Sequence, residues 1–406
     1  MTYNIENFFS DGLPNSASPY SGFPEYNFVG GHNSEDNIPI NELAISAKKV
    51  IKDKGKNLAL YGHNSGPQGN LELRKFLVSY LGSFTAMNIE LDNILLTSGS
   101  LQALDLINKL LLNSNDTVLV EEATYGGAIS RIKNLGVNHI GIKLDKEGIC
   151  LDDLTSTLDD LKSKNITPKF LYTIPTVQNP TATIMPENRR KKIIEIAEKY
   201  NFLIIEDDCY ADLTWDRKRP KSIYSFCEND RVIYCGSFSK SLAPALRVGY
   251  IVASWKIISK ILAFKNDGGS GAIEQMILAD FCSKNYESHV LSLVKELKRK
   301  CDIMIQALEI EFGSIAEFYI PKGGIFIWIT FPSNINTNKL YEVALKKGIA
   351  LNPGSEWVSN PSDGINKIRL CFANPSEKII KKGISQLAEI CFQEFGLPNI
   401  RANIKR

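Results

Sequence analysis

Apolar residues fall along this chain in two alternating rhythms. Over residues 39–54 the positions Ile40, Leu43, Ala44, Ala47, Val50 and Ile51 recur at helical spacing, which predicts an amphipathic helix laid against a core. Leu73, Phe76, Leu77, Tyr80 and Leu81 repeat that pattern behind a glycine-rich loop ending in Gly69. Another helix is expected after Pro186, since proline suits a first helical turn. Residues 256–312 read as mostly helical. Over 288–312, Leu291, Val294, Leu297, Cys301, Met304, Ile305 and Leu308 put one apolar face on a long helix suited to linking two domains. The second rhythm is a set of short apolar runs at 94–97, 117–121, 169–174, 202–206, 231–235 and 248–253, most of them closing in small or polar residues. Runs of that length predict buried strands.

Strands alternating with helices predict an α/β fold with a mainly parallel central sheet covered by helices on both faces. From Phe318 onward the character changes: 321–329 and 368–372 read as strands with helices between and after them, as in a smaller α+β domain. Residues 1–38, rich in Asn, Ser, Pro and Gly, read as an extended arm with little regular structure. The expected organisation is therefore an arm and helix at 1–55 belonging to the small domain, a large domain at 56–300 and the small C-terminal domain at 301–406.

Composition narrows this picture only a little. Hydrophobic residues make up 44% and charged residues 23% of 406, which is ordinary for a globular chain and speaks against disorder or a fibrous state. A net charge of +2 without a long basic run gives no reason to expect a nucleic-acid partner. The eight cysteines are scattered, with no Cys-x-x-Cys pair, and read as reduced core residues. No apolar stretch approaches the ~20 residues that span a bilayer. The N-terminus lacks the basic head and apolar middle of a secretory signal, so a cytoplasmic location and no membrane partner are expected.

Chemistry concentrates where the run 231–235 stops and gives way to Gly236, Ser237, Ser239 and Lys240. A lysine at the end of a buried strand is partly desolvated, which lowers its pKa and frees the neutral amine that bonds an aldehyde carbon. Ser237, Ser239 and, seven residues on, Arg247 supply hydroxyls and a guanidinium for a phosphate beside it. An aldehyde and a phosphate on one molecule point to pyridoxal 5'-phosphate. A second anion cradle is expected at Ser98-Gly-Ser100-Leu101, where a strand turns into a helix whose first N–H groups are unpaired, although Ser100 also suits a plain N-cap. Asp207-Asp208 ends the run at 202–206, and a carboxylate there would keep a pyridine nitrogen protonated. No nearby histidine or third carboxylate completes a metal site with them, so no metal is expected.

The pattern Ser-x-x-Lys-x6-Arg-x-Gly, in the wording Gly-Ser-Phe-Ser-Lys240 and Leu-Arg247-Val-Gly, resembles the cofactor-lysine signature of class I/II aminotransferases of pyridoxal-phosphate fold type I. It looks most like the aminoadipate-aminotransferase and MocR-like branch, and the likeness runs from about Gly31 to the last helix. The resemblance implies further roles. Phe28-Val-Gly-Gly31 matches a glycine turn lying against the substrate carboxylate. Tyr61 matches a tyrosine that reaches the other subunit's cofactor phosphate, and Tyr125 an aromatic stacked on the ring. Asn179, aimed by Pro180, matches an asparagine on the phenolic oxygen and the substrate carboxylate. Counting back three from the family's tyrosine, Tyr210, selects Asp207 over Asp208 as the ring acid, and Tyr210 would donate to the phenolic oxygen. Arg369 matches the arginine that takes the α-carboxylate, for which its planar fork is suited. The chain departs from the family at Thr181-Ala182, where Thr-Gly is usual; a positive φ there would penalise alanine.

The resemblance implies a homodimer that moves an amino group from an L-amino acid to a 2-oxo acid such as 2-oxoglutarate or pyruvate. The first arginine is Arg74, so the arm offers no guanidinium to a distal carboxylate, and it carries Glu25, Glu35 and Asp36. A neutral or basic donor is therefore expected. The same residues would also serve lyase, decarboxylase, oxidase or cyclase chemistry. A ligand-sensing regulator of the MocR type would need a DNA-binding domain ahead of motifs that here begin by residue 31.

Overall fold

The apolar runs become strands because helices cover both of their faces. The computed structural model describes residues 3–9, 13, 16–17, 19, 22–61 and 65–398, so part of the arm and the last residues lie outside it. The central strands are Ile94–Thr97 (β1), Thr117–Glu121 (β2), Asn138–Ile142 (β3), Phe170–Thr173 (β4), Leu203–Asp207 (β5), Val232–Ser237 (β6) and Gly249–Val252 (β7). They form one seven-stranded sheet in the order β1-β7-β6-β5-β4-β2-β3. Only β7 runs antiparallel to its neighbours. The antiparallel strand has a consequence for the site: its N-terminal end lies on the same sheet edge as the C-terminal ends of the others.

Strand side chains alternate between two cores, as a period of two requires. Leu119, Leu171, Ile204 and Val232 face one side, where they meet Leu151–Ser163 and Glu187–Tyr200 through Leu154, Leu158, Ile193 and Ala197. Val120, Tyr172, Ile205 and Ile233 face the other, against Ser100–Leu111 and the long helix Ala272–Glu311. That long helix starts well before the expected 288. Its first turns bury Met276, Leu278, Ala279, Phe281 and Cys282, which leaves no single apolar stripe to read there. The helix before it, Trp255–Phe264, is separated from it by a loop containing Gly268 and Gly269, both at positive φ.

The C-terminal sheet consists of Phe326–Thr330 (β8), Asn352–Pro353 (β9) and Lys367–Cys371 (β10), antiparallel with β10 in the middle. The arm is more regular than its composition implied: Tyr26–Asn27 pairs with Ile349–Ala350, and Phe28 accepts from Cys371 N through its carbonyl at 2.8 Å. This pairing hands Gly30 and Gly31 to the edge of the large sheet.

Two local expectations are corrected. The strand before Lys240 does not stop at Cys235 but continues through Gly236 and Ser237. Gly236 is a close-approach glycine rather than a terminator, because a Cβ there would lie 2.1 Å from Cζ of Tyr250 on the neighbouring strand. Ser100 is the first helical residue, and Gly99, at φ +79°, takes the N-cap position instead.

Ala182 does sit at φ +61°, buried in the loop after β4 with its N–H on Gln178 O at 2.7 Å. An L-residue in that region is strained by about 1–2 kcal/mol. Ala182→Gly is expected to stabilise the protein by about 1 kcal/mol, read as a higher urea midpoint at unchanged slope; a lower midpoint would contradict the strain.

Candidate active site

Loops leaving the sheet at that shared edge close around a cavity of about 110 Å³. Ser100 and Leu101 at the start of the helix after β1, Tyr125 after β2, Asn179 after β4, Asp207 and Tyr210 at and after β5, and Ser239, Lys240 and Arg247 after β6 all line it. Gathering ligand groups at strand C-termini is what open α/β sheets do. Ser237 stands behind the wall, its hydroxyl 3.0 Å from Ser239 Oγ. Gly31 touches the site through Lys240, whose Nζ donates to the Gly31 carbonyl at 2.5 Å. Arg369 reaches it through Asn179, with Nη1 on Oδ1 at 3.0 Å. Tyr61 is not brought in: it is 79% exposed and borders a separate, larger cavity of about 500 Å³ with Lys265, Gly268 and Gln275.

Burial sets the electrostatics. It pushes the Lys240 ammonium below the usual lysine range, toward the neutral amine. It also pushes the Asp207 carboxyl up, while the Tyr172 hydroxyl, donating to Oδ2 at 2.6 Å, pulls the other way. The other oxygen, Asp207 Oδ1, is buried and makes no hydrogen bond to the described residues. Asp208 Oδ1 is in the same state, but of the two carboxylates only Asp207 lines the cavity, where a ligand's donor can reach it. Asp208 does not face the cavity; its Oδ2 accepts from Arg219 at 2.8 Å and from Tyr234 at 2.9 Å. At the other end, Arg247 lies over the Gly99 turn, where a Cβ would come within 2.4 Å of Nη2. Its guanidinium and the opening N–H groups of the helix at Ser100 make one anion cradle.

Three supports were not read from the sequence. Glu121, fully buried on β2, accepts from Thr173 Oγ1 at 2.7 Å, Ile174 N at 3.0 Å, Gln178 Nε2 at 2.7 Å and Thr124 Oγ1 at 3.1 Å. It thereby ties Thr124, next to Tyr125, to Gln178, next to Asn179. Asn33 of the arm donates to the Lys240 carbonyl at 2.8 Å. Tyr286 of the long helix donates to Asp212 Oδ2 and accepts from Ser241 Oγ, both at 2.7 Å, and Asp212 in turn accepts from Arg219. An acid inside an apolar run was the visible signal for Glu121; the other two join residues far apart in the chain.

The model of the family described as aminotransferase class I and II matches residues 31–387. The chain is a class I/II aminotransferase. It is 34% identical over 369 residues to aromatic-amino-acid aminotransferase 1 of Thermococcus litoralis, covering 90% of this chain and 88% of that one. To the 2-aminoadipate transaminase of Thermus thermophilus it is 30% identical over 365 residues (89% and 88%). It is 34% identical over 343 residues to the uncharacterized HTH-type transcriptional regulator YdfD of Bacillus subtilis, covering 84% of this chain and 69% of that protein. Among solved structures, the kynurenine aminotransferase of Pyrococcus horikoshii, determined in complex with PMP, superposes with a TM-score of 0.89 at 34% identity (96% and 98%). The enzyme is a pyridoxal-phosphate-dependent aminotransferase of fold type I, and its site fits that cofactor: the free Asp207 oxygen suits a ring N–H, and the Gly99–Arg247 cradle suits a phosphate.

Glu121→Gln would turn an amide N–H toward donors that it now satisfies. The expected loss is about 1–3 kcal/mol of unfolding free energy in urea, together with faster loss of cofactor absorbance on dialysis. An unchanged midpoint and unchanged retention would remove Glu121 from this role.

Proposed function

We propose that this aminotransferase moves the amino group of a neutral or basic L-amino acid to a 2-oxo acid such as 2-oxoglutarate or pyruvate, with Lys240 as its catalytic residue. The observation that carries the reading is the sharing of one cavity by the buried Lys240 amine, whose pKa burial lowers, the unpartnered Asp207 oxygen and the Arg247 cradle. When bound, pyridoxal phosphate supplies an aldehyde carbon that bonds an amine and a protonated ring that withdraws electrons from the substrate's α-carbon. Lys240 would be the residue that holds the cofactor covalently, through Nζ. Its Nζ then takes the α-proton as general base and acts as general acid on the proton's return.

The other residues hold this geometry. Asp207 keeps the ring nitrogen protonated, and Tyr125 offers its flat face to the ring. Asn179 and Tyr210, in contact at 3.3 Å, serve the phenolic oxygen. Ser100, Leu101, Ser239 and Arg247 hold the phosphate, with Ser237 setting Ser239. Arg369, Asn179 and the Gly31 turn receive the α-carboxylate. Tyr61, turned outward, is assigned to the phosphate bound by a second copy in a homodimer. We take 1–55 and 301–406 as the small domain and 56–300 as the large one, supported by the pairing of Tyr26–Asn27 with Ile349–Ala350. A cytoplasmic location is proposed with the rest; among the described residues no helix is long and apolar enough to cross a membrane.

The relatives' names include both aromatic and acidic amino acids, so the donor class rests on this chain's own residues. No lysine or arginine precedes Lys48. Arg74 spends its guanidinium on the carbonyls of Gly69, Leu91 and Ser65 at 3.2, 3.1 and 2.9 Å. Neither offers a cation to a distal carboxylate.

A panel of amino donors with 2-oxoglutarate and pyruvate tests this. Neutral or basic amino acids are expected to turn over fastest, and Lys240→Ala to lower the rate by about 10²- to 10⁴-fold or more. Comparable turnover of aspartate, glutamate and aminoadipate, with lysine and arginine inert, would reject the donor class. Full activity in Lys240→Ala would reject the mechanism.

A further inference from the structure

Arg369 is a buried cation without a counter-ion. It is 4% exposed, and among the described residues no carboxylate lies within ion-pair distance. Such a charge is costly unless something replaces the lost water. Two aromatic faces do so. The guanidinium carbon lies 3.4 Å from the ring centre of Trp357 and 3.8 Å from that of Phe326, so both faces of the plane are covered. Only the edge is left for hydrogen bonds, and neutral acceptors take part of it: Asn179 Oδ1 at 3.0 Å, Asn352 Oδ1 at 2.7 Å and the Val29 carbonyl at 3.3 Å. Arg369 Nε and Trp357 Nε1, both buried, have no hydrogen-bond partner among the described residues.

The backbone around Trp357 is built into the site rather than loosely laid over it. Trp357 O accepts from Thr124 N at 2.9 Å, and Ser359 N donates to Glu122 O at 2.8 Å. An antiparallel bridge joins Ala123 to Val358 between these contacts. Gly126 is pressed so close to this segment that a Cβ would lie 2.6 Å from the Glu356 carbonyl. The loop carrying Tyr125 and the loop carrying Trp357 are therefore joined through their backbones, and the two rings stand 6.1 Å apart. Trp357 occupies the joint between the residue assigned to the cofactor ring and the residue assigned to the substrate carboxylate.

We propose that Trp357, with Phe326 on the opposite face, is the positioning residue for substrate affinity: it keeps the Arg369 guanidinium flat, dry and unpaired until an α-carboxylate arrives. This rests on the reading of Arg369 given above. Because amino donor and oxo acceptor both carry the carboxylate beside the reacting carbon, removing the face weakens both together. A pocket that contacted side chains would weaken one and spare another.

The test uses the holoenzyme and four variants, Trp357→Leu, Trp357→Phe, Phe326→Leu and Arg369→Lys. The readouts are KM and kcat for L-phenylalanine and 2-oxoglutarate, and Kd for 3-phenylpropanoate followed through the visible absorbance. Trp357→Leu is expected to raise both KM values and the Kd by about tenfold, the scale of a desolvated cation–π contact, while kcat falls far less and the resting spectrum is unchanged. Trp357→Phe, which restores an aromatic face, should recover most of that loss. Should Trp357→Leu not fold, Phe326→Leu uncovers the other face of the same guanidinium and carries the same expectation. Unchanged KM and Kd in the leucine variants, with Arg369→Lys strongly weakened, would overturn the proposal. An Arg369→Lys enzyme that binds 3-phenylpropanoate normally would instead overturn the assignment of the carboxylate to Arg369, and this inference with it.

Discussion

A sheet of buried strands must put its polar ends somewhere, and here they share one edge. Five loops converge there, because five parallel strands end on that side and the last of their loops leads into the reversed strand after Arg247. The amine of Lys240 is held in this place between the sheet and the arm, against the Gly31 carbonyl, where burial lowers its pKa. The remaining features of the site follow from that placement: a free carboxylate oxygen at one end of the cavity, an anion cradle at the other, and an aromatic-lined guanidinium beyond.

Buried charges elsewhere keep these groups in register. Glu121 sits behind the cavity wall with both oxygens satisfied by several donors, and Asp208, next to Asp207, turns its Oδ2 to Arg219 and Tyr234. Glu121 is pushed up to about 7 by burial even so. Desolvating a carboxylate is expensive, and a saturated set of hydrogen bonds is the arrangement that tolerates it. Asp207 and Asp208 each keep one buried oxygen without a partner among the described residues, and what distinguishes Asp207 is that it lines the cavity.

Much of this was legible in the chain itself. Buried strands are continuous apolar runs, so six of the seven central strands could be read, and the candidates from Ser100 to Arg247 lie at or after their ends. The exposed edge strand Asn138–Ile142 has no such run and was missed. The early start of the long helix escaped because its first turns are buried on several sides, which erases the stripe that periodicity depends on. Gly236 looked like a terminator since sequence does not reveal that Tyr250 lies across the sheet. Sequence could not show how Asp207 and Asp208 are oriented: one carboxylate lines the cavity and its neighbour faces Arg219. Ala182 was legible as a departure, and its backbone has the positive φ that made the departure matter. Contacts such as Asn33 with Lys240 and Trp357 with Arg369 depend on which loops meet in space, and no local pattern announces them.

The central claim is that a single amine, that of Lys240, carries the cofactor. Reducing the purified holoenzyme with borohydride, digesting it and mapping the modified peptide by mass spectrometry asks this directly. The account predicts one pyridoxyl mass on the peptide that contains Lys240. The same mass on another lysine, or its absence from every peptide of a visibly coloured protein, would contradict it.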